Sequence, residues 1–265
     1  MKTLKRYFKR NTRNLLFKAL AGIGRSLNRF YENRNHDIYS NGESFVLKQL
    51  GKLSPALIFD VGANVGNWGI LAARTCKSAR IYCFEPVHST YQTMIKSFAT
   101  SGLHNMIPVR SGLFKETTIF RINQYASTEH SSIYDVQGVG YGVDDVVEID
   151  LLKGDEFIEL HKIDFIDFVK LDVEGAEMDA LLGLENAIRK KKIRLIQFEY
   201  GYINITTKVL LIDFYNFLSR HGYVLGKLYP KRVEFRKYSL KHEDFIGPNF
   251  IAVRDSDQEL ISMLS

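Results

Sequence analysis

Apolar residues recur along this chain with the periods of helices and of buried strands. Leu16, Leu20, Ile23, Leu27 and Phe30 fall at i, i+4, i+7, i+11 and i+14, one face of a helix. Lys and Arg are interspersed, so residues 1–34 predict a basic amphipathic helix, broken near Gly22 and Gly24. Behind that segment, short continuous apolar runs alternate with helical patterns. Strands are predicted at Ala56–Val61, Arg80–Glu85, Met106–Arg110, Ile166–Leu171 and Arg194–Glu199. Tyr223–Leu228 and Asn249–Val253 finish the chain as an antiparallel pair. Helices are predicted at Asn67–Thr75, on the face Val87, Tyr91, Met94, Ile95 and Phe98, near Asp155–His161, through Ala180, Leu181, Leu184 and Ile188, and near Lys208–Arg220. Thr118–Asn123 and Val146–Asp150 read as an antiparallel excursion around a long polar loop, 124–145.

Continuous apolar strands alternating with helices form a mostly parallel sheet covered on both faces. Ligands of such α/β sheets bind beyond the carboxyl ends of the strands.

Composition changes this picture little. Of 265 residues, 45% are hydrophobic and 25% charged, which excludes a disordered, collagen-like or disulfide-framework protein. No apolar run approaches the ~20 residues of a membrane-spanning helix. Lys5, Arg6, Lys9 and Arg10 interrupt the apolar core that a secretory signal would need. Two cysteines, Cys76 and Cys83, fit a reducing, cytoplasmic setting and read as small core residues.

Charge changes it more. The net +6 would suggest an anionic partner, but residues 1–34 carry ten Lys/Arg against one acid, Glu32. That segment holds +9 and the remaining chain −3. The chain divides into a basic N-terminal segment, 1–34, and a domain, 35–265. The segment reads as a helix for a membrane surface or a partner, or as a solvated extension.

Four strand ends carry the candidate chemistry. Asp60-Val61-Gly62-Ala63-Asn64-Val65-Gly66 closes the first strand and opens a helix. Glycines there permit a tight turn, and a helix N-terminus offers N–H groups to a carboxylate. The dinucleotide fingerprint fails, because Asn64 and Asn67 stand where it needs glycine. Glu85-Pro86 ends the second strand, where a carboxylate can accept from two ribose hydroxyls. A nucleoside joined to a carboxylate-bearing group matches both ends, and S-adenosylmethionine has that description. Lys170-Leu171-Asp172-Val173-Glu174-Gly175-Ala176-Glu177 ends the fourth strand, with Lys170 and Asp172 on one side. Glu177 reads equally as a helix-start acid. Glu199 ends the neighbouring strand.

These stretches, with Ser131-Ser132 in the polar loop and Phe198-Glu199, resemble the FkbM family of S-adenosylmethionine-dependent methyltransferases. Asp172-Val173-Glu174-Gly175-Ala176-Glu177 is the discriminating match, and the resemblance runs from about Glu43 to Val253. It implies the class I, Rossmann-like methyltransferase fold, with a seven-stranded sheet in the order 3-2-1-4-5-7-6 and O-methylation as the usual activity. Implied acceptors are hydroxyl-bearing small molecules, sugars or glycolipids. Lys153-Gly154-Asp155-Glu156 departs from the Thr-Leu-Asp-like start more common in the family. Asp60, Gly62, Ala63, Asn64, Gly66, Glu85 and Pro86 are the expected cofactor contacts. Ser111 and Gly112 follow as an adenine edge on fold analogy.

Asp172 and Glu174 are the expected general bases, because an alkyl hydroxyl is a poor nucleophile until its proton has an acceptor. Asp172 borders both pockets, so a contact to the cofactor's amino group is also open to it. His130 is an alternative base, and Tyr125, Tyr134 and Tyr141 are candidates to stack on a sugar. Asp172, Glu174 and Glu199 have oxygen ligands suited to magnesium, but no tight ligand spacing supports one and no metal is expected. Amine methylation of nucleic acid would use a Pro-Pro-aromatic turn where Asp172-Val173-Glu174 stands. RNA 2′-O-methylation, or a non-catalytic cofactor-binding module, are the competing readings.

Overall fold

The protein is described from a computed structural model covering residues 2–125 and 143–265. His130, Ser131, Ser132, Tyr134 and Tyr141 lie outside the described residues.

The N-terminal segment forms α1 (Lys2–Arg10) and α2 (Leu15–Tyr31). The predicted break at Gly22 and Gly24 falls at residues 11–14 instead. Asn14 caps α2, its Oδ1 accepting from the Phe17 N–H at 2.9 Å, and the helix runs through both glycines. A capped start outweighs the cost of isolated glycines.

The domain follows as α3 (Glu43–Gly51), β1 (Leu57–Val61), α4 (Asn67–Thr75), β2 (Arg80–Phe84), α5 (His88–Ser101) and β3 (Met106–Val109). Next come β4 (Gly112–Phe114), β5 (Thr118–Tyr125), β6 (Val143–Lys153), α6 (Gly154–Leu160), β7 (Ile166–Leu171), α7 (Glu177–Gly183) and α8 (Glu185–Arg189). The chain ends with β8 (Ile193–Glu199), α9 (Ile203–Thr207), α10 (Leu211–Arg220), β9 (Tyr223–Tyr229), β10 (Arg232–Phe235), β11 (Asn249–Arg254) and α11 (Gln258–Leu264).

Among the described residues the main sheet has eight strands, ordered β10-β9-β11-β8-β7-β1-β2-β3. Seven of them keep the expected 3-2-1-4-5-7-6 order. The count is corrected by β10, a short edge strand that pairs antiparallel with β9. β5 and β6 do form the antiparallel excursion, but β4 joins them in a separate sheet, β4-β6-β5. Three residues, Gly112 to Phe114, are too few to show a period in sequence.

Alternation within the strands splits the core into two layers. Leu57, Phe59 and Val61 of β1 face a layer with Phe157 and Ile158 of α6, Leu181 of α7, Ile188 of α8 and Phe214 of α10. Ile58 faces the other layer, with Leu47 of α3, Trp68 of α4, Met94 of α5 and Leu260 of α11. Phe59 meets Phe84 and Phe157 edge-on at 5.2 and 5.8 Å between ring centres. Burial on both faces explains why every residue of β1 and β7 is buried and why their only polar members need partners. No described helix is long and apolar enough to cross a membrane.

Candidate active site

The β1–α4 turn is shaped by close approaches. Gly62 has φ +81°, and a Cβ there would lie 1.8 Å from the Asp172 carbonyl oxygen. The end of β7 therefore requires glycine at this position. Gly66, at φ +90°, would instead meet Phe98 of α5 at 2.5 Å, so its role is helix packing. Four of the turn's own N–H groups are used within the fold. Those of Gly62 and Ala63 donate to the Phe84 carbonyl at 3.0 and 2.9 Å, and that of Gly66 to the Ala63 carbonyl at 2.9 Å. The Asn64 N–H donates to Glu85 Oε2 at 3.0 Å. The first turn of α4 offers further donors to a ligand carboxylate.

Glu85 is held by that bond and by the Val87 N–H, which donates to Oε1 at 2.9 Å. Each oxygen keeps a lone pair. Burial, opposed by the two backbone bonds, raises its pKa to about 7. Pro86 and Gly112 flank it. Ser111 is buried outside the pocket wall, its hydroxyl donating to the Asp150 carbonyl at 2.8 Å and tying the β3–β4 turn to β6.

At the end of β7, Lys170 is buried with Nζ 2.8 Å from Asp172 Oδ2 and 3.7 Å from Asp60 Oδ1. Asp60 is fully buried beneath the turn, and burial raises its pKa to about 6 despite Lys170. Burial alone would lower the Lys170 pKa, but Asp172, Asp60 and Glu43 hold it above its ordinary value. The Asp172 side chain is one-third exposed. Glu174 sits in the left-handed region at φ +51°, and burial, with Asp172 and Glu177 nearby, raises it to about 8. Glu177 orders this turn, its Oε1 accepting from the Val173 and Gly175 N–H groups at 3.1 and 3.2 Å. Burial first, then Asp172, Glu174 and Glu177, push Glu199 well above the carboxylate range.

These ends meet in one pocket. Gly62, Asn64, Glu85, Pro86, Gly112, Asp172 and Glu174 line it, whereas Asp60, Ala63, Gly66 and Ser111 lie behind its wall. Other lining residues carry no chemical signal in the sequence. Thr90 comes from α5, and Leu113, Ile122, Ile149 and Leu151 come from the β4-β6-β5 sheet. Single apolar residues in short strands carry no chemical signature; only the alternation of Ile122 and Ile149 hinted at an inward face. Among the described residues no group of three or more His, Cys, Asp or Glu is arranged to hold a metal ion.

The lining suits S-adenosylmethionine. Glu85 offers lone pairs to ribose hydroxyls, the apolar sheet offers a face to a flat base, and Asp172 and Glu174 offer negative charge to a cation. The fold and this arrangement define a class I methyltransferase. Residues 60–225 match the Methyltransferase FkbM domain, more than half of the chain, and the protein belongs to that family. S-adenosylmethionine is its cofactor. The chain is similar to the hexuronic acid methyltransferase AglP of Haloferax volcanii, 25% identical over 55% of this chain and 56% of that one. It is also similar to methyltransferase 1 of Beauveria bassiana, 27% identical over 49% and 59%. It spans little more than half the length of either relative. An FkbM methyltransferase structure from Methylobacillus flagellatus superposes with TM-score 0.49 at 18% identity, over 75% of this chain and 44% of that one.

Proposed function

We propose that this protein methylates a hydroxyl of a sugar or sugar-bearing acceptor, with Asp172 or Glu174 taking the hydroxyl proton. The observation that carries the reading is that Gly62, Asn64, Glu85, Asp172 and Glu174 line one and the same pocket. When bound, S-adenosylmethionine supplies a methyl group activated by its sulfonium. Glu85, pinned by two backbone N–H groups, accepts from the ribose hydroxyls without having to reorganise. Leu113, Ile122, Ile149 and Leu151 exclude water from the neighbouring wall. Lys170 fixes the rotamer of Asp172, so the carboxylate stands ready within reach of an acceptor proton. A relative named for hexuronic acid supports a sugar acceptor. The two buried free thiols, Cys76 and Cys83, fit a reducing, cytoplasmic setting.

The test is incubation of the protein with labelled S-adenosylmethionine and a panel of sugars, uronic acids, lipid-linked glycans and RNA, read by mass spectrometry. Label on a sugar hydroxyl is expected, and label confined to RNA ribose would overturn the acceptor. Asp172→Asn and Glu174→Gln separately test the base. Loss of the general base lowers kcat by about 10²–10⁴, read at saturating S-adenosylmethionine because both acids also offer charge to its cation. Wild-type rates in the doubly substituted protein would reject a carboxylate base.

A further inference from the structure

α2 is a long helix with no buried residue. Its stripe of Leu16, Leu20, Ile23, Leu27 and Phe30 is 66, 52, 59, 63 and 82% exposed. Nothing lies within 4 Å of a Cβ built at Gly22 or Gly24, so this stretch stands clear of the domain. Five large apolar side chains in one exposed row call for an occupant. The opposite side of the helix carries Lys18, Arg25 and Arg29, and residues 1–34 together hold +9 against −3 for the rest of the chain.

That pairing selects the occupant. A surface that is apolar beneath and anionic above meets both faces of α2 at once. Acyl chains take the leucine row, while phosphates take the cations, whose long stems reach back to the interface.

The helix is also fastened at a defined place. Lys227 Nζ donates to Glu32 Oε2 at 2.8 Å, and Asn33 Nδ2 donates to the Leu228 and Asn41 carbonyls at 3.0 and 2.8 Å. Lys227 and Leu228 lie at the end of β9. β9 and β8 are both antiparallel to β11 and so run the same way. The clasp therefore sits on the carboxyl edge of the sheet, the edge that bears the pocket.

We propose that α2 docks the protein on an anionic lipid surface, the Leu16–Phe30 row entering the bilayer interface on the pocket's edge of the sheet. The proposal stands apart from the choice of methyl acceptor.

The test is flotation of the 265-residue chain with phosphatidylcholine vesicles, with and without phosphatidylglycerol. Binding to the anionic vesicles is expected. It should fall about tenfold or more in high salt and in the Leu20→Glu/Leu27→Glu variant. Neither side chain is buried, so the variant should keep the wild-type thermal midpoint. No flotation, or equal flotation of wild type and variant, overturns the proposal. So does a dimer that the variant dissociates while neither protein floats, which would give the row to a second copy. Salt-sensitive RNA binding without flotation overturns it as well. Flotation reads no catalysis, so its failure is distinct from failure of the methyl-transfer assay.

Discussion

Lys170 Nζ stands 2.8 Å from Asp172 Oδ2, and its other neighbour at the same strand end is the fully buried Asp60, 3.7 Å away. One buried cation thus joins an acid behind the pocket wall to an acid in the pocket. Lys170→Met leaves both acids without their counter-charge. Breaking a buried ion pair from one side costs about 3–5 kcal/mol, so a loss of that order is expected in urea denaturation. Adding Asp60→Asn should recover part of it, because no buried charge is then left unpaired. A loss unchanged by the second substitution would mean that packing, not charge, had been removed.

Gly62→Ala tests the contact between the turn and β7. The added Cβ would overlap the Asp172 carbonyl, which is backbone and has no flexible end to swing away. The residue also has φ +81°, where alanine is strained by about 1 kcal/mol before any clash. We expect a drop in thermal midpoint together with loss of cofactor binding by calorimetry. Gly102→Ala is the control. It has a positive φ too, but nothing lies within 4 Å of its Cβ, so strain alone should lower its stability while cofactor affinity holds.

Much of this site was legible in the sequence because its acids interrupt apolar strands. Asp60, Glu85 and Asp172 end runs that would otherwise be wholly buried, and a charge there needs a reason. The order of the seven principal strands was legible through the family resemblance. Two kinds of feature were not. Gly62 and Gly66 look alike in sequence, yet one admits a carbonyl and the other a phenyl ring, a distinction made by elements 30 to 110 residues away. The apolar wall of Leu113, Ile122, Ile149 and Leu151 is read as ordinary core until the small sheet is seen against the pocket. Short elements such as β10, α9 and α11 owe their existence to tertiary packing, which a local period does not register.

Glu85 should contribute mainly to cofactor affinity. Its two backbone donors fix the carboxylate, leaving one lone pair on each oxygen for a ligand hydroxyl. A hydrogen bond to a charged group contributes about 1.5–3 kcal/mol, so Glu85→Ala should weaken S-adenosylmethionine binding about tenfold to 150-fold. Glu85→Gln keeps an acceptor but places an amide where one backbone N–H donates, and an intermediate loss is expected. Titration calorimetry of the three proteins reads this directly. Equal affinities would remove Glu85 from the cofactor site.

The raised carboxylates set the pH response of the protein without ligand. Asp60 at about 6, Glu85 and Glu177 at about 7 and Glu174 at about 8 retain protons that the unfolded chain releases near 3.8 or 4.5. Across that window the folded state binds more protons than the unfolded state, so stability falls as pH rises. Burial is the first cause in each case, and Glu199 shifts in the same direction. The thermal midpoint without cofactor should therefore decline from about pH 5 to about pH 8. Glu174→Gln, neutral throughout, should flatten the part of the decline near pH 8, where Glu174 ionises. Cofactor should flatten it too, since a bound cation favours the ionised acids, and its binding near neutral pH should release protons measurable by calorimetry in two buffers. A midpoint that rises over this range would show that these acids are already ionised in the folded protein.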